Sequence, residues 1–302
     1  MERVKAQYAA MAFAAAALYA ASAPASKLLL AEATPVFMAS FLYLGAGTGM
    51  SVVALFRKGL NNGHKEMRLD KGDLTFVVLM IILDIIAPIL LMVGLRMTTA
   101  SNASLLNNFE IAATSIIAFI LFGEPVSKRL WKGIAVITAA SMLLSLGETG
   151  SLDFSLGSVF VLLAATAWGF ENNCTRMLSL KDPLQVVVIK GLGSGAGSLI
   201  VAVLIGDAPP ELAFVLYAML LGFFSYGMSI WLYVYAQRGL GAARTSSYYA
   251  VAPFIGAAIS YAVFRDPLSP TFLAALLLMM IGSYLAAFDG VLRKTKRKIS
   301  SI

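Results

Sequence analysis

The sequence predicts an all-α integral membrane protein with ten transmembrane helices in two inverted five-helix repeats and with both termini in the cytoplasm. Its composition, a series of long apolar runs and an internal repeat predict this fold. Of the 302 residues, 59% are hydrophobic and 13% are charged, and the mean hydropathy is +0.82. Soluble domains are about half apolar and about a quarter charged, so the composition excludes an ordinary soluble fold.

The transmembrane helices are predicted from ten runs of apolar residues. Each run is long enough to cross about 30 Å of hydrocarbon at a rise of about 1.5 Å per residue. The predicted spans are residues 7–30, 35–56, 74–95, 98–122, 129–147, 155–179, 183–205, 212–237, 242–264 and 270–290.

The first run also has features of a secretory signal peptide. It begins with basic residues, continues with an apolar stretch and ends in the small residues Ala21-Ser22-Ala23. Pro24 would directly follow that cleavage site, where proline blocks processing. A counterpart of this segment later in the chain also favours a retained helix, so we interpret the run as an uncleaved span.

The orientation is predicted from the lysines and arginines between the spans. With cytoplasmic termini, nineteen of the 23 lie on the cytoplasmic side, Lys27, Arg96 and Arg265 lie outside, and Lys190 falls within a span. The basic residues of 293–298 then form a cytoplasmic anchor beside lipid headgroups. The net charge of +7 is therefore a topology signal, and we expect membrane lipids as partners and no nucleic acid.

The two halves of the chain repeat each other and divide it into residues 1–147 and 148–302. Each half contains five predicted spans, an odd number, so the second copy must be inverted in the membrane relative to the first. Secondary transporters use this architecture and bind substrate near the midplane between the halves. The segments that align without gaps are 94–127 with 236–269 and 19–27 with 168–176.

Two kinds of motif in the chain are typical of a known family: Trp168-Gly169 with Arg176 near the end of that span, and the turns Glu124-Pro125 and Asp266-Pro267 before the last span of each repeat. Through these motifs the chain resembles the EamA family of the drug/metabolite transporter superfamily. Tyr19-Ala20 departs from the Trp-Gly pattern in the first repeat. The layout is also similar to that of the ten-span aromatic amino acid exporters of bacteria. The resemblance implies export of amino acids or other small metabolites through a central cavity, without ATP.

One pair of opposite charges lies inside the predicted spans. A charge at the bilayer centre costs roughly 2.5–3.5 kcal/mol, so such residues face a partner or a cavity. Glu171 and Lys190 each lie about nine residues, or about 14 Å, from the turn at Lys181-Asp182 and are predicted to share one depth. Two interpretations stay open: a structural ion pair, or a pair that lines the substrate site.

The first repeat carries two further buried acids, Asp84 and Glu110, each about thirteen residues from the turn near residue 97. Two carboxylates close together at low dielectric cannot both ionise easily, so these residues are candidates for proton coupling. Alternatively, each acid caps a helix or binds backbone groups freed near Pro88. Asn107, Glu110 and Thr114 form a polar stripe at helical spacing.

Aromatic residues and small polar groups complete the candidate site. An apolar, aromatic-walled pocket with a few polar groups suits an amphipathic ligand, whose ammonium would lie near a carboxylate or ring and whose carboxylate near Lys190. Packing between helices is the alternative explanation for each ring. The predicted substrate-binding residues are Trp168, Glu171, Asn172, Lys190, Asn107, Glu110, Tyr226, Tyr248 and Tyr249, and the predicted proton-coupling residues are Asp84 and Glu110.

Other functional classes find little support. The sequence has one histidine, no H-E-x-x-H motif and no Walker A sequence, so we expect no enzyme activity, no metal and no cofactor. A facilitative channel is compatible with the repeat, but buried charges favour an occluded site. We expect a monomeric carrier for a small molecule, most plausibly an amino acid. The alternative substrates are another amphipathic metabolite or drug, such as a nucleobase or a cationic compound.

Overall fold

The structure is a computed structural model that describes residues 2–60, 67–124, 126–145, 155–178, 181–240, 245, 248–266 and 268–287. Within these ranges the chain is helical and contains no β-strand. The basic tail, residues 61–66 and the turn prolines Pro125 and Pro267 lie outside the described residues. The helices are α1 (Glu2–Ala20), α2 (Ser22–Leu29), α3 (Pro35–Leu60), α4 (Leu74–Met97), α5 (Ala100–Leu106), α6 (Phe109–Phe122), α7 (Lys128–Ser145), α8 (Leu156–Met177), α9 (Pro183–Leu204), α10 (Leu212–Gly222), α11 (Ser229–Leu240), α12 (Ala252–Phe264) and α13 (Pro270–Ala287).

Every predicted apolar run contains at least one of these helices, in the predicted order. In the described parts of the chain, six stretches are long and apolar enough to cross a membrane, and α12 and α13 are shorter apolar helices. Ten crossings therefore stay a prediction, whereas a multi-pass helical membrane protein is shown. The six stretches are Ala6–Leu29, Pro35–Arg57, Lys71–Met97, Ala100–Phe122, Pro183–Leu204 and Leu212–Ala236.

Three runs predicted as continuous helices are interrupted. Between α1 and α2 the backbone of Ala21 keeps helical dihedrals, with φ of −69° and ψ of −15°. One helical hydrogen bond is missing there, because Pro24 has no N–H to donate to the carbonyl of Ala20. Between α5 and α6, the amide of Glu110 bonds to the carbonyl of Asn107 at 3.1 Å, a tighter i→i+3 turn. Between α10 and α11, Phe223–Met228 forms a π-helical turn. Irregular turns of this kind within apolar helices are common at binding sites.

The helix contacts follow a two-fold pattern when the repeats are matched by sequence. The pairs α3 with α9 and α7 with α13 join equivalent helices of the two halves, and α5 packs against α12, the counterpart of α6. α4 in the first repeat contacts α8 in the second. The equivalent helices, α11 in the second repeat and α1 in the first, also contact each other. The two repeats are thus interleaved, and the protein's interior lies between them.

The repeats also share one local turn at the end of their fourth segments. Gly123 after α6 and Arg265 after α12 both adopt left-handed backbone, with φ of 63° and 56°. Ser127 and Ser269 then cap the next helices, because their hydroxyl oxygens accept hydrogen bonds from the backbone N–H groups of Leu130 and Phe272. These residues align in the sequence repeat, so the same residue pattern produces the same helix end twice.

Glycines bring α3 and α9 into backbone contact at the centre of the bundle. A Cβ added at Gly191 would lie 2.4 Å from the amide nitrogen of Gly47, and one at Gly47 would lie 2.4 Å from that of Leu192. The absence of a side chain at these two glycines therefore lets the helix backbones pack closely. On the outside of the bundle, large apolar side chains are exposed, such as Leu55 and Leu204, which are 71% and 80% exposed and suit a lipid environment.

Candidate functional site

A buried lysine bridges two buried carboxylates where three helices meet. Lys190 on α9 places its Nζ 3.1 Å from Oδ2 of Asp84 on α4 and 3.0 Å from Oε1 of Glu171 on α8. The Asp84 and Glu171 side chains are 0% and 1% exposed, and that of Lys190 is 12% exposed. The predicted Glu171–Lys190 contact is therefore present, and it is extended by Asp84 into a triad.

A tyrosine hydrogen-bonds to Asp84, and a tryptophan hydrogen-bonds to that tyrosine. The hydroxyl of Tyr43 on α3 donates a hydrogen bond to Oδ1 of Asp84 at 2.9 Å. The same hydroxyl oxygen accepts a hydrogen bond from the indole N–H of Trp168 at 3.3 Å. Glu171 is in turn hydrogen-bonded by the hydroxyl of Thr175, one turn further along α8. The two carboxylates are thus held by donors from three helices, α3, α8 and α9, which fixes their positions.

The expected Asp84–Glu110 carboxylate pair is corrected by these contacts. Asp84 shares Lys190 with Glu171, so its nearest acidic partner comes from the second repeat and not from α6. Equal distance along two helices determines depth alone, whereas the direction of a side chain around its helix depends on packing. The alternative expectation, that Asp84 caps a helix or binds backbone near Pro88, is replaced by the contact with Lys190.

Glu110 belongs to a second polar cluster, between α6 and α8. Asn172 donates its amide hydrogens to Oε1 of Glu110 at 2.6 Å and to the hydroxyl of Thr114 at 3.3 Å. Asn173 donates to the carbonyls of Thr114 and Gly169. The two helices approach closely because α8 carries glycine here: a Cβ at Gly169 would lie 2.8 Å from the Thr114 amide nitrogen.

Two asparagines occupy the tight turn just before Glu110. Asn107 is 7% exposed and Asn108 is 1% exposed. The side-chain oxygen of Asn108 accepts a hydrogen bond from Ser283 on α13 at 3.2 Å, whereas the buried side-chain oxygen of Asn107 has no partner among the described residues. Residues three apart lie above one another in such a turn, so Asn107 and Glu110 are on one side of it.

Five tyrosines form a continuous series of ring contacts through the interior. The ring centroids are 5.4 Å apart for Tyr43 and Tyr226, 5.8 Å for Tyr226 and Tyr19, 5.8 Å for Tyr19 and Tyr249, and 4.9 Å for Tyr249 and Tyr233. Such spacings are typical of stabilising aromatic pairs. The series joins the triad, through Tyr43, to the α1–α11 contact. Tyr248 lies outside it and packs on Phe13, at 5.0 Å.

Polar contacts link helix ends at the edge of the bundle. Lys27 donates to the carbonyls of Leu95 and Thr98 at 2.5 and 2.8 Å and so caps the end of α4. At another helix end, Arg176 pairs with Glu124. Lys181 donates a hydrogen bond to Asp70 at 2.8 Å. That bond lowers the pKa of Asp70 and raises the pKa of Lys181.

The structure brings most of the predicted site residues into two connected clusters. Trp168, Glu171, Lys190 and Asp84 form one, and Glu110 and Asn172 form the other, with Asn107 beside it. Tyr43 and the role of Tyr19 were not predicted from the sequence. The repeat held a signal for Tyr19, since it aligns with Trp168, whereas Tyr43 has no such signal. No group of three or more His, Cys, Asp or Glu residues placed to bind a metal occurs among the described residues.

Comparison with known proteins identifies relatives across the whole bundle. The chain is 27% identical over 285 residues to an uncharacterized transporter of Methanothermobacter thermautotrophicus, covering 89% of this chain and 82% of that protein. It is 25% identical over 274 residues to the uncharacterized transporter YyaM of Bacillus subtilis, covering 87% of each. A shorter match, 26% identical over 176 residues, covers 55% of this chain and 57% of the uncharacterized inner membrane transporter YedA of Escherichia coli.

The fold and the family agree with these relatives. A protein of known crystal structure superposes with a TM-score of 0.64 over 93% of this chain and 95% of its own, at 18% identity, which shows a shared fold alone. The sequence profile of the EamA-like transporter family matches residues 7–146 and 155–288. With the apolar helices of the bundle, these matches establish a multi-pass protein of the cytoplasmic membrane. The chain therefore belongs to the EamA-like transporter family.

Proposed function

We propose that this membrane transporter is a secondary carrier that exports small amphipathic metabolites, with amino acids, including aromatic ones, as the expected class. The observation that supports the proposal most strongly is the buried triad of Lys190 with Asp84 and Glu171. Placing charged groups inside a membrane bundle costs free energy, and such groups commonly mark substrate or ion pathways. A carrier has a use for them, because charge at the midplane can be exposed to each side in turn.

The two-fold contact pattern supports alternating access as the mechanism. If two inverted repeats can each adopt the conformation of the other, the same site opens first to one side and then to the other. The contacts between equivalent helices, α3 with α9 and α7 with α13, are the interfaces across which such an exchange would occur. A boundary between the repeats at residues 147 and 148 forms part of this proposal.

The residues proposed to line the substrate site come from the two polar clusters and from the tyrosine series, together with Tyr248 outside that series. Glu110 is the better candidate for a proton site, because its contact comes from the neutral amide of Asn172, whereas Asp84 is already matched by Lys190. The proposed substrate-binding set is Trp168, Glu171, Asn172, Lys190, Asn107, Glu110, Tyr226, Tyr248 and Tyr249.

Counterflow in proteoliposomes tests the carrier. Vesicles loaded with unlabelled amino acids should transiently accumulate labelled amino acid above its equilibrium level, with saturation at high substrate concentration. A nucleobase or polyamine that shows counterflow when amino acids do not would change the substrate class and keep the carrier. Flux that never saturates would indicate a channel, and no protein-dependent flux of any solute in a broad panel would contradict transport of small metabolites.

A further inference from the structure

We propose that the site recognises its substrate by an ammonium group at Glu110 and does not use Lys190 to bind a carboxylate, so that primary amines are preferred over acids. The inference rests on the proposed carrier function and specifies its substrate. It assigns different roles to the two polar clusters that line the site: the triad contributes net negative charge, and the Glu110 cluster accepts hydrogen bonds from the ammonium group.

The charge balance of the interior supports this division. The two clusters contain three carboxylates, of Asp84, Glu171 and Glu110, and one cation, that of Lys190. The Lys190 ammonium lies 3.1 and 3.0 Å from two of these carboxylates, so its charge is already matched. A substrate carboxylate approaching Lys190 would also approach both acids and be repelled at low dielectric. The interior favours an incoming cation.

The acceptors around Glu110 match an ammonium group. An ammonium offers three donors and no acceptor, and Glu110 contributes carboxylate lone pairs beyond the one used by Asn172. On the same side of the turn, the buried side-chain oxygen of Asn107 has no partner in the described part of the chain. A buried polar atom without a partner is costly unless a ligand or water satisfies it. Glu110 keeps part of its surface accessible, unlike Asp84 and Glu171.

The tyrosine series supplies the remaining wall of the site. Tyr19 and Tyr249 place their ring centroids 5.8 Å apart within this series. Ring faces attract an ammonium ion within about 6 Å and also pack against an apolar body. The combined chemistry fits a primary amine with an aromatic or branched apolar body.

A series of matched substrates tests the inference on the unaltered protein. Phenethylamine, phenylalanine methyl ester, phenylalanine and 3-phenylpropionate share one aromatic body and differ in their charged groups. In counterflow we expect the amine and the ester to show apparent KM values about tenfold or more below that of phenylpropionate, with phenylalanine between them. Equal values across the series, or tighter binding of phenylpropionate, would overturn ammonium recognition while keeping the carrier. Absence of saturable flux for all four and for a wider panel would remove the carrier as well.

Variants locate the ammonium site. Glu110→Gln should raise the KM for phenethylamine about tenfold or more and leave any flux of phenylpropionate unchanged or increased. Asn107→Ala should shift the KM in the same direction by a smaller factor. Glu211→Gln, at an exposed position before α10, is the matched control and should change nothing. An unchanged amine KM in a folded Glu110→Gln variant contradicts the assignment. If the Glu110→Gln variant does not fold, the KM values of the substrate series and of Asn107→Ala test the ammonium site instead.

Discussion

At the scale of single residues, the interior depends on one lysine shared by two acids. Taking ions out of water is costly, and a buried pair repays that cost only when its geometry and hydrogen bonds are good. Here Tyr43 and Thr175 donate to the two carboxylates, and Lys190 lies between them. Loss of the lysine would leave two unmatched carboxylates, whereas loss of either acid would leave an intact pair.

This difference predicts unequal effects of neutralising substitutions. Lys190→Gln should destabilise the protein most, by roughly 3–5 kcal/mol, because it leaves both acids uncompensated. Glu171→Gln should cost less, since Lys190 retains Asp84. Thermal unfolding of the purified protein in detergent measures both effects.

The double variant tests the coupling. Lys190→Gln with Glu171→Gln should recover part of the stability lost in Lys190→Gln, because one of the stranded charges is also removed. Simple addition of the two single effects would mean that the residues are not coupled. Glu211→Gln, at an exposed position, is the control for replacing a glutamate with glutamine outside the triad.

The hydroxyl of Tyr43 is predicted to stabilise the triad. Tyr43→Phe removes the donor to Asp84 and the acceptor for Trp168 while keeping the ring, and should cost about 1–3 kcal/mol. Tyr217→Phe is the matched control, because Tyr217 is 63% exposed on the outer surface. We expect a fall in the unfolding temperature and a shift in tryptophan fluorescence for Tyr43→Phe alone. Equal stability of both variants would show that this hydroxyl contributes nothing.

At the scale of helices, glycine determines how closely α3 and α9 approach. The nearest neighbours of a Cβ at Gly191 would be backbone atoms of Gly47, which cannot move without separating the helices. At Gly193, two residues along α9, the nearest neighbour would be the terminal methyl of Ile81 at 2.7 Å, which can rotate away. The two positions therefore differ in the kind of atom they meet, and not in helix propensity.

Alanine at Gly191 and alanine at Gly193 should have different effects on the stability of the protein. Gly191→Ala should destabilise the protein by about 1–3 kcal/mol, since the helices must move apart. Gly193→Ala should be neutral or slightly stabilising, because alanine in a helix gains about 0.5–1 kcal/mol over glycine. Thermal unfolding of the two variants side by side is the measurement. A tolerated Gly191→Ala would mean that α3 and α9 are not held at the observed distance.

Helix bounds were largely predictable at this scale. Of the three interruptions, only the one before Pro24 has a signal in the sequence. Pro35 and Pro183 each open a helix near the expected residue, because proline fits the first turn, where no N–H is needed. Apolar periodicity cannot distinguish a straight helix from one broken at Asn107 or widened at 223–228, since every residue of these segments is compatible with both. Packing against the neighbouring helices determines whether the helix is straight or interrupted.

At the scale of the whole molecule, the interleaved repeats combine with the charge bias to predict an orientation. Nineteen lysines and arginines on one side and three on the other favour cytoplasmic termini. Cysteine labelling tests this in a Cys174→Ala background, whose native cysteine is buried. Cysteines at Asn61 and Ser300 should be protected from an impermeant reagent added to intact cells. A cysteine at the exposed Glu32, between α2 and α3, should react. The reverse pattern would contradict the orientation.

The sequence by itself determined the class of the protein, the order of its helices, the repeat and the shared depth of Glu171 and Lys190. Composition and periodicity are properties of the chain alone, and depth follows from counting residues along a helix of known rise. The tertiary structure alone decided which side chains meet at that depth. It paired Asp84 with Lys190 and Glu110 with Asn172, and it placed Tyr43 between Asp84 and Trp168. The physical reason is that contact depends on how each helix is rotated about its axis, and packing against neighbouring helices sets that rotation.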